Sequence, residues 1–153
     1  MALAWASTSQ KNGNVTFVAC TRDNKPVVLK LDGSSILWEP SCYQGDGTEL
    51  RRNITFRATD SIAQQLQEME HGLENSCIKD GAVKCKISMD KVRVYDTSNN
   101  RTEPPATWRG TECHVVIQVR GKWATRTQSG LCLEVTDIQL LARVEQPSPF
   151  APC

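Results

Sequence analysis

Little in these 153 residues advertises chemistry. Histidine occurs only as His71 and His114, and no two of the seven cysteines form a Cys-x-x-Cys pair, the commonest spacing of a structural zinc site. The nearest cysteines are Cys77 and Cys85, while Cys113 and His114 are adjacent and in a strand would point to opposite faces. The His-x-Glu and Pro-Cys-x-x-Cys elements of a zinc deaminase are missing. So are the Gly-x-Ser-x-Gly elbow, the P-loop and the dinucleotide glycine fingerprint. A Cys–His dyad through His71 or His114 stays open, but nothing marks an activated thiol. These absences favour a non-enzymatic protein with no catalytic residue, metal, cofactor or small-molecule substrate.

Long apolar runs are lacking too, so no membrane span is expected. The opening MALAWASTSQKNGN has neither a basic leader nor a long apolar segment and does not read as a secretory signal. The cysteine count is odd and the spacing irregular. Cys20, Cys42, Cys77, Cys85, Cys113, Cys132 and Cys153 therefore read as free thiols of an intracellular, unsecreted protein. Sequons at Asn14, Asn53 and Asn100 argue the other way and would stay unused in that compartment. Net charge is also small, at +1. Its distribution is uneven: residues 1–83 hold 8 Lys/Arg against 10 Asp/Glu, and residues 84–153 hold 10 against 7. A local cationic track is compatible with that balance.

What the chain does have is a long hairpin pattern, ECHVVIQVRGKWATRTQSGLCLEVTDIQLL, over Glu112–Leu141. Val115, Ile117 and Val119 alternate with His114, Gln118 and Arg120, with Val116 an apolar residue on the second face, and Leu131, Leu133 and Val135 alternate with Cys132, Glu134 and Thr136, which is the period of paired, half-buried strands. The expected strands are Cys113–Arg120 and Leu131–Leu141, joined by a polar tip over Gly121–Gly130. Parity breaks near Asp137, where Ile138 and Leu140 continue the apolar face. Either a β-bulge lies close to Thr136–Asp137 or both faces are buried there.

Upstream, Val15–Cys20 and Val27–Leu31 alternate as strands around the turn Thr21–Pro26, followed by a turn at Asp32–Ser35 and short strands at Ile36–Trp38 and Asn53–Arg57. Thr59–Asn75 has helical spacing, with Thr59 or Asp60 as cap and Ile62, Ala63, Leu66, Met69 and Leu73 on one face. Ala82–Tyr95 reads as strand broken near Met89–Asp90. Residues 1–13 read as a flexible arm, 14–143 as one domain and 144–153 as a flexible tail. The fold class is mainly β with one principal helix (α+β).

The candidate binding residues are cations and aromatics near the hairpin: Arg93, Tyr95, Trp108, Arg109, Arg120, Lys122, Trp123 and Arg126. Aromatic rings stack on bases and cations neutralise phosphates, a combination suited to single-stranded nucleic acid. Each has an ordinary alternative, since tryptophan is often buried and surface cations often only solubilise.

The stretch WRGTECHVVIQVRGKWATRTQSGLCLEVTDIQLL resembles the C-terminal part of OB-type single-stranded-DNA-binding proteins of phages and large DNA viruses, over roughly residues 83–142. That resemblance implies an OB-like antiparallel β-barrel with a long C-terminal hairpin. It also implies single-stranded DNA as partner in replication or recombination, with Lys122, Trp123 and Arg126 along the groove. RNA shares every feature read here, and homo-oligomers are common in such families. For a viral chain the compartment would be the host nucleus or cytoplasm. The competing reading is a structural or interaction β-domain, such as a virion or adaptor component.

Overall fold

The computed structural model describes residues 3–6, 9–42 and 49–141. The chain order is β1 (Ala4–Trp5), β2 (Gln10–Asn12), β3 (Val15–Thr21), β4 (Val27–Ser35), β5 (Arg51–Arg57), α1 (Asp60–Met69), β6 (Ile78–Lys79), β7 (Ala82–Ser88), β8 (Arg93–Tyr95), β9 (Glu112–Ala124) and β10 (Ser129–Leu140). Two of these strands, β9 and β10, carry the sheet. β9 pairs with β3 and β4 along one edge and with β10 along the other. β10 in turn lies parallel to β7 and β8, and β7 is antiparallel to β5 and β6. The sheet is therefore mixed, where an antiparallel one was expected. Its ladders leave it open as paired.

The expected bulge is present: Val135 faces Ile117 and Asp137 faces Val116, leaving Thr136 as the extra residue. A second irregularity was not foreseen. Leu133 faces Val119 and Cys132 faces Gly121, so Arg120 is extra on β9. One added residue flips every later side chain to the other face of a strand. The apolar parity Cys113, Val115, Ile117, Val119 therefore stops at Arg120, and Trp123 emerges on the side away from the core. The strands also run further than the sequence implied, leaving only Thr125–Gln128 as a turn, closed by Thr125 N–H donating to the Gln128 carbonyl at 2.7 Å.

The core gathers the inward positions of these strands, Val27, Leu29, Leu31, Ile54, Phe56, Val83, Cys85, Ile87, Val115, Ile117, Val119, Leu133, Val135 and Ile138 among them. Ile62 and Leu66 of α1 join it. Thr59 caps α1, its Oγ1 accepting from Ile62 N–H at 3.3 Å. The helix stops at Met69, six residues short of the expected end. Gly72 then turns with φ +85°, and the Glu70 carboxylate accepts from Ser76 Oγ (2.9 Å) and Cys77 N–H (2.7 Å). Leu73 still packs on the core, so its apolar spacing recorded burial and not helix.

Three other expectations shift. Asp32–Ser35 is not a turn but the bulged end of β4, with Gly33 at φ +69°. Ile36–Trp38 makes only the isolated bridge Ile36↔Phe56 and a Leu37 N–H bond to the Thr55 carbonyl at 2.9 Å. Within residues 1–13, Ala4–Trp5 and Gln10–Asn12 both pair with β3. The expected tail, 144–153, lies outside the described residues, as does Cys153. The six described cysteines are free thiols.

Candidate nucleic-acid interface

Alternation sends Ile54 and Phe56 of β5 and Val83, Cys85 and Ile87 of β7 into the core. The same alternation turns Arg51, Asn53 and Thr55, with Lys84 and Lys86, to the outer face. Cross-strand register sets Asn53 opposite Lys86 and Thr55 opposite Lys84. Two clefts open on this face. One, about 350 Å³, is lined by Asn53, Asn75, Ser76, Cys77, Lys84, Lys86, Trp123 and Gly130. The other, about 280 Å³, is lined by Trp38, Glu39, Ser41, Asn53, Thr55 and Lys84. Asn53 and Lys84 belong to both, so the clefts form one groove with a tryptophan at each end. From β5 to β9 is three strand spacings, roughly 14 Å.

Each indole is held differently. Trp123 faces Gly130 across the β9–β10 ladder and lies over it. A Cβ at Gly130 would stand 3.0–3.1 Å from indole atoms Cζ2, Cε2 and Nε1. The glycine thus lets the ring lie against the sheet. Trp38 is 57% exposed, with the Arg109 guanidinium 4.9 Å from its ring centroid. Arg109 is positioned through its backbone: Glu39 accepts from the N–H groups of Trp108 (3.1 Å) and Arg109 (2.5 Å).

The groove is cationic. Glu134 of β10, mostly buried, takes Arg51 at 2.5 Å and Arg120 on its second oxygen. Burial alone would raise its pKa, but the hydrogen bonds from Arg120 and Arg51 outweigh it and hold the carboxyl below its ordinary value. This triad carries a net +1. Lys84 and Lys86 add to it, and burial, then Lys84 and Arg51, lower the pKa of Lys86. The thiols nearby are poor nucleophiles: burial pushes Cys77 up to about 12, and burial also raises Cys132. Among the described residues no three His, Cys, Asp or Glu side chains gather to hold a metal.

The structure scatters the residues singled out from sequence. Trp123 lines the groove, Arg120 reaches it through Glu134, and Arg109 caps Trp38 at its far end. Trp108 is 6% exposed and belongs to the core, so its ring is unavailable for stacking. Lys122 alternates to the opposite side of β9 from Trp123, its ammonium 4.4 Å from the centroid of Trp5. Arg93 pairs with Asp137 at 2.9 Å, and Tyr95 sits beside Arg101 and lines a separate cleft with His114 and Lys30. Arg126 is exposed at the turn. Sequence reasoning missed Trp38, Arg51, Asn53, Lys84 and Lys86. The signal for the lysines was available: in Ala82–Ser88 they occupy the polar parity opposite Val83, Cys85 and Ile87.

The fold is shared with a bacteriophage single-stranded DNA-binding protein. The particular likeness is to the one from bacteriophage Enc34: its C-terminally truncated form has a TM-score of 0.58 at 14% identity, over 95% of this chain and 97% of that one. The same protein in complex with single-stranded DNA has a TM-score of 0.53 at 13% identity, over 93% and 96% of the two chains. No protein-family model matches the chain, and no curated protein matches it significantly. Among the described residues no helix is long and apolar enough to cross a membrane.

Proposed function

We propose that the chain is a non-enzymatic single-stranded DNA-binding protein of DNA replication or recombination, acting inside the cell. The strand lies along the groove from Trp38 to Trp123, with bases stacking on the two indoles and phosphates held by Lys84, Lys86 and the Arg51–Glu134–Arg120 triad. The observation that carries this is the shared Asn53–Lys84 floor, which joins two aromatic-ended clefts into one cationic track. Stacking accepts any base because every base has a π-face, and a track of this kind needs no sequence readout to coat a strand. A fold shared with a phage protein that binds single-stranded DNA supports the reading. An OB-like barrel is the matching architecture. It is supported by the bridges Ile36↔Phe56 and Ser41↔Asn53, which carry the chain after β4 alongside β5.

Fluorescence anisotropy with labelled single-stranded and duplex DNA across a salt series tests the proposal. Lys84, Lys86 and the net charge of the triad make three phosphate contacts, for a slope of log affinity against log salt of about −2. Duplex DNA is expected to bind more weakly, since its bases are already stacked. Equal binding of duplex and single strands would reduce the groove to a generic cationic surface. Preferential competition by a matched RNA would move the substrate from DNA to RNA. Failure to bind either would favour a structural or interaction domain.

A further inference from the structure

We infer that the middle of the groove selects bases by the edge they present, favouring keto bases over amino bases. The inference rests on the single-stranded DNA reading and deepens it. Asn53 stands where the two clefts meet. Its backbone is pinned from one side, with Asn53 N–H donating to the Ser41 carbonyl at 2.8 Å and Ser41 N–H donating back at 3.0 Å. Its Oδ1 accepts from Lys86 Nζ at 2.7 Å. An ammonium only donates, so this bond fixes the sense of the carboxamide, oxygen toward Lys86 and NH₂ turned away from it. Nδ2 makes no hydrogen bond among the described residues.

Beside it, Lys84 lines both clefts and has no ion-pair partner among the described residues. Of the nearby acceptors several are engaged, and the Asn75 carboxamide offers both a donor and an acceptor. Glu134 holds Arg51 and Arg120, Glu39 holds two backbone N–H groups, and Ser76 Oγ accepts from Ile78 N–H at 3.1 Å while donating to Glu70. The hydroxyls of Ser41 and Thr55 serve either way. With its oxygen turned to Lys86, Asn53 therefore presents its NH₂ donor to the groove, and Lys84 adds N–H donors to the same wall. A 4-oxo pyrimidine or 6-oxo purine meets Asn53 Nδ2 with a carbonyl oxygen, whereas a 4-amino or 6-amino group at that position sets donor against donor. Stacking on Trp38 and Trp123 supplies sequence-neutral affinity, and this wall adds a bias at one nucleotide.

Oligodeoxyuridylate and oligodeoxycytidylate of equal length differ only at the Watson–Crick edge, a 4-oxo group with N3–H against a 4-amino group with a bare N3, and deoxyinosine and deoxyadenosine differ likewise at C6 and N1. Anisotropy competition with the full chain is expected to favour deoxyuridine over deoxycytidine by about 2- to 12-fold, the worth of one net hydrogen bond. Deoxyinosine should be favoured over deoxyadenosine in the same sense. Asn53→Ala should bring the uridine-to-cytidine ratio close to one. Asn53→Asp, which accepts where the amide donates, should invert it. Ratios near one for both pairs in the wild type, or unchanged in both variants with intact melting curves, overturn the inference while leaving the groove in place. If the wild type binds none of the oligonucleotides, the groove reading fails and takes this inference with it.

Discussion

The two sides of β9 near its end carry similar residues to different effect. On one side Lys122 places its ammonium over Trp5 at 4.4 Å, so cation and aromatic face satisfy each other. On the other, Trp123 lies over a glycine and borders Lys84 and Lys86. Both sides combine lysine and tryptophan, as the sequence had suggested for a single surface. What separates them is strand parity, displaced by the extra residue at Arg120. Residue density along a sequence names the ingredients of a site; the register decides which of them meet.

The largest expected effect would break the comparison directly. Stacking on an aromatic side chain is worth about 1–3 kcal/mol per base, so Trp123→Ala should weaken single-stranded DNA binding by about 5- to 150-fold. Trp5→Ala should leave affinity within about twofold, as expected for a residue outside the path of the strand. Titrations of the two variants by anisotropy, beside thermal melts to confirm folding, separate the sides. Equal losses would mean that the strand crosses both faces or neither.

Glycine sharpens the same contrast. A Cβ at Gly121 would overlap the Val18 carbonyl oxygen and come within 2.8 Å of Phe17 Cζ, so Gly121→Ala must push β3 from β9. Overpacking of this kind costs about 1–3 kcal/mol, and the urea midpoint should fall accordingly. At Gly130 the obstruction is the Trp123 ring, which can tilt. Gly130→Ala should therefore lower DNA affinity more than stability. A larger stability loss at Gly130 than at Gly121 would show that the indole is a structural plug.

Much of this architecture was legible because alternation and capping are local. The hairpin strands, the Thr59 cap and the bulge at Thr136 each leave a mark within a few residues. So does the tight turn in Thr21–Pro26, where Asp23 and Asn24 have φ of +53° and +61°. Another local mark went unread: Asp80-Gly81, with φ of +53° and +75°, is the two-residue turn of the β6–β7 hairpin. The groove was less legible for a physical reason. Trp38, Asn53, Lys84 and Trp123 come from four separated stretches brought together by the β5–β7–β10–β9 order, and no local period encodes that order. The Arg120 bulge hid the rest, since Val119 and Gly121 share a parity on paper and lose it in the ladder.

Salt dependence gives a smaller, graded test of the two sides. Lys84→Ala and Lys86→Ala should each reduce the magnitude of the salt slope by about 0.7, the contribution of one phosphate contact on a single strand. Lys122→Ala should leave the slope unchanged, because its ammonium is engaged on Trp5 across the strand. A slope change at Lys122 equal to that at Lys84 would place phosphates on both sides of β9.

The smallest effect concerns Glu134, the acid that ties Arg51 and Arg120 to the groove. Its pKa is lowered in the folded protein, so the folded state favours the carboxylate more than the unfolded chain does. Stability from this group is fully present above the ordinary glutamate value, about 4.3, and is lost as pH falls through the depressed folded value. Glu134→Gln removes that contribution at neutral pH and has nothing left to lose in acid. The gap in urea midpoint between wild type and variant should therefore be widest at neutral pH and narrow steadily below about pH 4. The same substitution frees one positive charge in the groove, so at neutral pH the variant should bind single-stranded DNA with a slightly steeper salt slope. A gap independent of pH would show that Glu134 acts by shape alone. An unchanged slope would place Arg51 and Arg120 outside the path of the strand.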